Sequence, residues 1–193
     1  PEFKTLMAEL PAYTPKVEDY PMAQLTPSYD DFKEYAAAGY RYIPVSVEFT
    51  TDSETPVTIF NKLAEGDGRF LLESVERGEQ MGRYSFIGWE PLFTLKANGR
   101  ELQIIDSNGK TLTEEAEPLA RLEQGLKELK VAPVTHLGKF YGGAVGYIGY
   151  DYVKQIERLP DENPSTIGIP DLCWIVPRYL ACFDHVMHKI TLV

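Results

Sequence analysis

Cysteine is nearly absent from this chain: only Cys173 and Cys182 occur in 193 residues. Two thiols are too few for the disulfide framework of a small secreted domain, and they read as reduced packing residues. Basic charge is also in short supply. Nineteen Lys and Arg face twenty-nine Asp and Glu, a formal net charge of −10 at pH 7. That field repels a phosphate backbone unless a local basic patch overrides it, and the densest basic run, residues 127–130, is broken by Glu128. The composition therefore argues against nucleic-acid binding. No apolar run approaches the roughly twenty residues of a membrane-spanning helix, and the first twenty residues lack the pattern of a signal peptide. A cytoplasmic protein is expected.

What is present suits a globular core. Apolar residues make up 44% of the chain, close to the average for globular domains. Residues 1–25 carry several prolines and little periodicity, and are expected to form an extended arm ahead of one domain over 26–193. Pro1 is not an initiating residue. The final segment, 189–193, alternates like a half-buried strand and stops without a turn signal, as expected of a piece of a longer chain; whether the edge of that strand is covered is left open by the sequence.

The spacing of apolar, capping and turn residues predicts the elements. Thr26-Pro27-Ser28 opens a helix, with Thr26 as cap, Pro27 in the first turn and Gly39 as the left-handed stop. Residues 40–49 alternate as a strand. Thr55-Pro56 opens a second helix, whose stripe of Ile59, Phe60, Leu63 and Ala64 ends at Gly66. A meander of strands follows at 69–75, 84–88, 92–97, 101–106 and 110–113, with hairpins at Asn98-Gly99 and Asn108-Gly109, where both turn residues need positive φ. Leu119, Leu122, Leu126 and Leu129 place a helix over 115–130. A strand over 140–147, a short helix over 150–157 and strands over 172–183 and 187–193 complete the chain. Strands in runs with helices between them indicate an α+β fold with a mainly antiparallel β-sheet and helices packed against it.

Several chemistries fail on their own requirements. The five glycines of GKFYGGAVGYIGYD (138–151) lack the Gly-Lys-Ser/Thr ending of a phosphate loop, and Gly143, Gly146 and Gly149 have the wrong spacing for a dinucleotide fold. They read instead as a strand that lets a neighbouring backbone come close. His185 and His188, near Cys182, suggest a metal, but on a strand residues three apart point to opposite faces and cannot share one ion. A serine nucleophile needs a strained turn and a histidine. Ser74 and Ser85 have no such setting in the sequence, and nothing places His136 near either one. No catalytic residue and no metal ligand is assigned.

The stretch RFLLESVERGEQMGRYSFIGWEP (69–91) leaves two readings open. Glu73-Ser74 is either the solvated end of a strand or a small-molecule site. In the second case the carboxylate attracts an ammonium group, the hydroxyl bonds either end of an amino acid, and Arg83 meets a carboxylate in bidentate fashion.

FLLESVERGEQMGRYSFIG together with GGAVGYIGYDYVKQIERLP resembles the N-terminal region of the anthranilate synthase component I family of chorismate-utilising enzymes. YIPVSVEFTTDSETPVTIFNKLAEG is similar to the family's segment in which a helix follows a Thr-Pro pair. The related aminodeoxychorismate synthase component I shares the scaffold, and a stand-alone tryptophan-binding module is a further alternative. The tetrad Leu71-Leu72-Glu73-Ser74 looks like the tryptophan-sensing element of the anthranilate branch.

The resemblance implies a feedback site for L-tryptophan built from Leu72, Glu73, Ser74, Pro56, Arg83, Tyr84 and Ser85, with Tyr84 or Arg83 where some members place a lysine. It implies a glutamine amidotransferase subunit as partner. It also implies a lyase activity that makes anthranilate and pyruvate from chorismate and ammonia. Chorismate and Mg²⁺ would be bound by a C-terminal half that is missing here, so this fragment would hold no cofactor and be inactive alone.

Overall fold

The structure is a computed structural model that describes residues 24–50, 54–63, 66, 68–74, 82–138, 140–159 and 167–193. Most of the expected arm and the charged loop after Ser74 lie outside the described residues. The expected α+β class is what the chain forms: every strand pairing is antiparallel, in one eight-stranded sheet with helices against it.

In chain order the elements are α1 (Tyr29–Ala37), β1 (Val47–Thr50), α2 (Pro56–Lys62), β2 (Phe70–Glu73), β3 (Tyr84–Asn98), β4 (Glu101–Asp106), β5 (Thr111–Glu115), α3 (Pro118–Glu128), β6 (Val145–Ile148), a 3-10 helix (Tyr150–Gln155), β7 (Leu172–Asp184) and β8 (Lys189–Leu192). The sheet runs β1-β8-β7-β3-β4-β5, with β2 also on β3 and β6 also on β7.

Its spine is the ribbon of β3 and β7, paired from Tyr84↔Asp184 to Ala97↔Leu172. Halfway along, Pro91 faces Pro177 and the register shifts between Pro91 and Phe93. Neither proline has an N–H for the ladder, and Glu90 takes φ 49° beside them. The bulge absorbs this interruption without ending the strand. The two strands expected at 84–88 and 92–97 are therefore one.

Each side of the bulge has its own core. Ile87, Ala181, Phe183 and Ile190 pack with Ile59, Phe60 and Leu63 of the α2 segment. Leu95, Ala97, Leu102, Leu122, Tyr152 and Leu172 pack with Leu119 and Leu126 of α3. Ile59, Phe60 and Leu63 of the first stripe and Leu119, Leu122 and Leu126 of the second are on the faces that these helices bury, while Ala64 lies outside the described residues.

Local chemistry explains where the boundaries moved. Ser28, not Thr26, caps α1: its Oγ accepts from the Asp31 N–H at 3.2 Å, and Pro27 precedes the cap. The strand expected over 40–49 shrinks to β1, with Tyr42 left in a single bridge to Val131. Thr55 caps α2 in a reciprocal box with Thr58, and Pro56 sits in the first turn, as the sequence predicts. Leu63 then takes extended angles, so α2 ends before Gly66.

Neither Asn-Gly forms the expected turn. Asn98 is the last residue of β3 and pairs with Glu101, so Gly99-Arg100 is the turn, with only Gly99 at positive φ (56°). The second hairpin has a three-residue loop closed by Gly109 at φ 80°, and Asp106 Oδ1 accepts from the Asn108 and Lys110 N–H groups. A single left-handed glycine is enough in both.

α3 is shorter than 115–130 because β5 claims Glu115 and Glu117 becomes the cap, accepting from Leu119 N and Ala120 N. Of 140–147 only the end is strand, as β6, and the short helix after it is a 3-10 helix. The glycine reading holds in β6. A Cβ on Gly146 would lie 2.0 Å from the Cys173 carbonyl oxygen, and one on Gly149 3.0 Å from that of Asp171. β8 answers the question the sequence left open: it lies between β7 and β1, bonded on both sides, so it is an inner strand.

Candidate functional site

A cleft of about 310 Å³ opens where the start of α2 meets the β7–β8 hairpin. Glu54, Thr55 and Pro56 line one wall; Phe183, Asp184, His185, His188 and Lys189 line the other. Its size suits a small metabolite.

The hairpin is built around Asp184. Its Oδ1 accepts from the Val186 and Met187 N–H groups at 3.0 Å each, and His188 takes the left-handed conformation (φ 51°) that closes the turn. The Arg83 guanidinium, from the residue just before β3, grips the same carboxylate, with Nε 3.0 Å from both oxygens and Nη2 2.6 Å from Oδ2. That charged hydrogen bond, helped by the backbone donors, holds the Asp184 carboxyl below the usual carboxylate range and raises Arg83. On the other wall Glu54 bonds Lys62 and Thr58, and those bonds lower it likewise. Lys189 pairs with Glu48 of β1 at 3.0 Å.

Strand register decides which of the expected site residues meet. Glu73, the last residue of β2, is directly opposite Ser85 of β3, which is opposite Phe183 of β7. Residues directly opposite in an antiparallel sheet share a face, so Glu73 and Ser85 lie on the same face as Phe183, which packs with α2, but neither of them lines the cleft. Leu72 is opposite Phe86, and Tyr84 is opposite Asp184. Both therefore project from the other face, where they are 45% and 40% exposed. Ser74 follows the strand end and is exposed. Pro56 is buried at the head of α2. The expected residues thus divide: Pro56, Glu73 and Ser85 share one face, Leu72 and Tyr84 the other. The bidentate fork of Arg83, expected to meet a ligand carboxylate, holds Asp184.

One pairing escaped the sequence reading altogether. Ser85 Oγ lies 2.8 Å from His185 Nε2, across 100 positions of sequence that hide the pair from any motif. His185 and His188 are also not on a strand: they occupy the β7–β8 turn, so the argument from opposite strand faces does not apply to them. His136, for its part, bonds the buried Ser46 at 3.0 Å. The Ser85–His185 pair is not a nucleophile and base. Ser85 is 1% exposed in the middle of the ladder, and the nearby Asp184 carboxylate is committed to Arg83. Such a pair holds a hydroxyl in place.

Among the described residues no group of three or more His, Cys, Asp or Glu is placed to hold a metal ion, and no helix is long and apolar enough to cross a membrane. Both cysteines are free, and burial pushes the Cys182 thiol up to about 11.

No protein-family model matches the chain. Individual relatives do. Anthranilate synthase component 1 of Pseudomonas putida is 37% identical over 170 residues, covering 85% of this chain and 34% of the relative. The protein of the same name from Synechocystis sp. is 38% identical over 168 residues, 86% of this chain and 33% of its own length. Among solved structures, anthranilate synthase component I from Streptococcus pneumoniae matches 71% of this chain and 28% of its own at 27% identity, with a TM-score of 0.46. The relationship rests on the sequence similarities. The chain is a homologue of anthranilate synthase component 1 and spans about a third of the length of the relatives it matches.

Proposed function

We propose that this chain is the N-terminal regulatory part of an anthranilate synthase component I and that it carries the feedback site for L-tryptophan. The observation that carries the reading is the end of β2. Glu73 is exposed there, its side chain forms no hydrogen bond or ion pair among the described residues, it precedes Ser74 in the chain and it is opposite Ser85 in the ladder. An exposed carboxylate with no side-chain partner suits the ammonium group of an amino acid.

The complete enzyme would convert chorismate and glutamine-derived ammonia to anthranilate and pyruvate, with a glutamine amidotransferase subunit supplying the ammonia. Mg²⁺ would serve that reaction as a Lewis acid. The described residues offer no donor cluster that fits it, and on this reading its ligands lie in the rest of the enzyme. Inhibition is allosteric if tryptophan binds one of two states better than the other.

Calorimetric titration of tryptophan into the full-length protein tests this. Binding is expected, and Glu73→Gln or Ser74→Ala should each weaken it by roughly ten- to hundredfold, the value of one charge-assisted hydrogen bond. Residues 1–193 alone should bind poorly, because the rest of the pocket comes from the missing half. Tight binding that ignores both substitutions refutes the reading, as does a parallel loss of tryptophan-free turnover in Ser74→Ala.

A further inference from the structure

We propose that the open edge of β7 over residues 176–179 is the seat of the polypeptide that follows Val193 in the full-length enzyme, which joins the sheet there as a strand. The inference rests on the reading of this chain as part of a longer enzyme and adds where the two parts meet. In the relatives the matched stretch is about a third of the whole.

β7 has two edges. β3 lies along one, from Ala97 opposite Leu172 to Tyr84 opposite Asp184. The other is shared: β6 takes Leu172–Ile175 and β8 takes Ala181–Asp184. Just past β8, Leu180 and Val193 exchange both backbone hydrogen bonds, at 2.9 and 2.8 Å. Between Ile175 and Leu180 that edge carries no strand among the described residues. Backbone polar groups alternate from side to side along a strand. Because Leu180 faces β8, Arg178 and Val176 turn their N–H and C=O groups to the same edge. Pro177, which has no N–H to offer, faces Pro91 of β3 instead. The open stretch is therefore a row of intact donors and acceptors, a template for one more strand.

Register identifies the occupant. β8 runs antiparallel to β7, so the residue after Val193 comes opposite Tyr179, and the next three come opposite Arg178, Pro177 and Val176. A fifth would meet Ile175, where Val145 of β6 already sits. Four residues, about 13 Å of strand, fill the gap. The chain leading into β6 does not fill it. In the register of β6 it would bring Phe140 opposite Leu180, a place that Val193 holds. It leaves the ladder instead. Gly142 and Gly143 take φ 157° and 114°, and the Phe140 ring packs edge-on against Phe86 at 5.0 Å, on the face that Phe86 shares with Leu72. With the gap filled, β8, the new strand and β6 form one line of hydrogen bonds along β7, past the Pro91–Pro177 bulge and from one core to the other. The rest of the enzyme is then carried on a strand that begins at Lys189 in the wall of the cleft, and not on a hinge.

Amide hydrogen exchange of the full-length wild-type protein, read residue by residue, tests this. The Arg178 and Val176 N–H groups should be protected to within about tenfold of Leu180. Exchange of both at the rate of an open amide, with Leu180 protected, overturns the inference. A covalent check places one cysteine at Arg178→Cys and a second at the second residue after Val193. Residues opposite each other in a hydrogen-bonded pair have Cα atoms about 5.5 Å apart, within reach of a disulfide, so mild oxidation should cross-link them. A cysteine four residues further on should not react, and equal cross-linking of the two would again overturn the inference. Neither readout involves tryptophan, so these amides can be protected even if the feedback site fails. A natural protein whose intact mass ends at Val193 overturns the longer-enzyme reading and this inference together.

Discussion

Gly146→Ala and Gly125→Ala are the same chemical change, and the structure assigns them opposite signs. At Gly146 the new methyl would meet the Cys173 carbonyl oxygen at 2.0 Å and Trp174 Cα at 2.7 Å. Both are backbone atoms of β7, held on their other side by β3, so neither can swing aside. β6 must move out, and the register from Val145↔Ile175 to Ile148↔Leu172 goes with it. Two to four ladder hydrogen bonds at about 1 kcal/mol net each, or the overpacking strain that replaces them, give a loss of about 2–4 kcal/mol.

Gly125 lies inside α3, where alanine is the better helix former by about 1 kcal/mol. Its methyl would touch the Phe93 ring at 3.4 Å, an ordinary contact. A gain of about 0.5–1 kcal/mol is expected there. Equilibrium urea denaturation followed by Trp174, the register partner of Gly146, measures both. Slopes of about 2–3 kcal/mol per molar make the first change a midpoint drop near 1 M and the second a small rise. A Gly146→Ala midpoint equal to wild type would show that β6 is not pressed against β7, and the reasoning about the glycine-rich segment would fail.

Tyr152→Phe removes the hydroxyl that donates to Glu117 at 2.5 Å. Because Glu117 is exposed, the loss should be about 1 kcal/mol. Burial and then the Glu117 bond push Tyr152 up to about 12 from 10.0. A raised value means stabilisation that is full below pH 10 and is lost as pH rises through 12. Alkaline melts should show that loss in wild type, and an equal loss in Tyr152→Phe would assign it elsewhere.

Asp184→Asn breaks the grip on Arg83. The depressed Asp184 value means that the pair stabilises above the ordinary Asp range and that the benefit disappears as pH falls through the lower folded value. The melting-temperature gap between wild type and variant should therefore be open at pH 7 and close in acid. A gap that does not depend on pH would deny the ion pair its role.

Local signals determined much of this molecule. The Thr55-Pro56 cap, the leucine spacing of α3, the alternation of the meander and the glycines of β6 act within one turn or one strand, so their meaning is complete in the sequence. The α+β class follows from their order. Other features depended on partners far along the chain. Whether Pro91 ends a strand or bulges it was decided by Pro177 opposite. Whether the last strand is an edge was decided by β1, and which nitrogen meets Ser85 was decided by a turn 100 positions away. The division of the expected site between two faces came from register, which shifts every side chain to the other side with a slip of one residue. Pairing across such distances is set by the whole sheet, and no short window of sequence contains it.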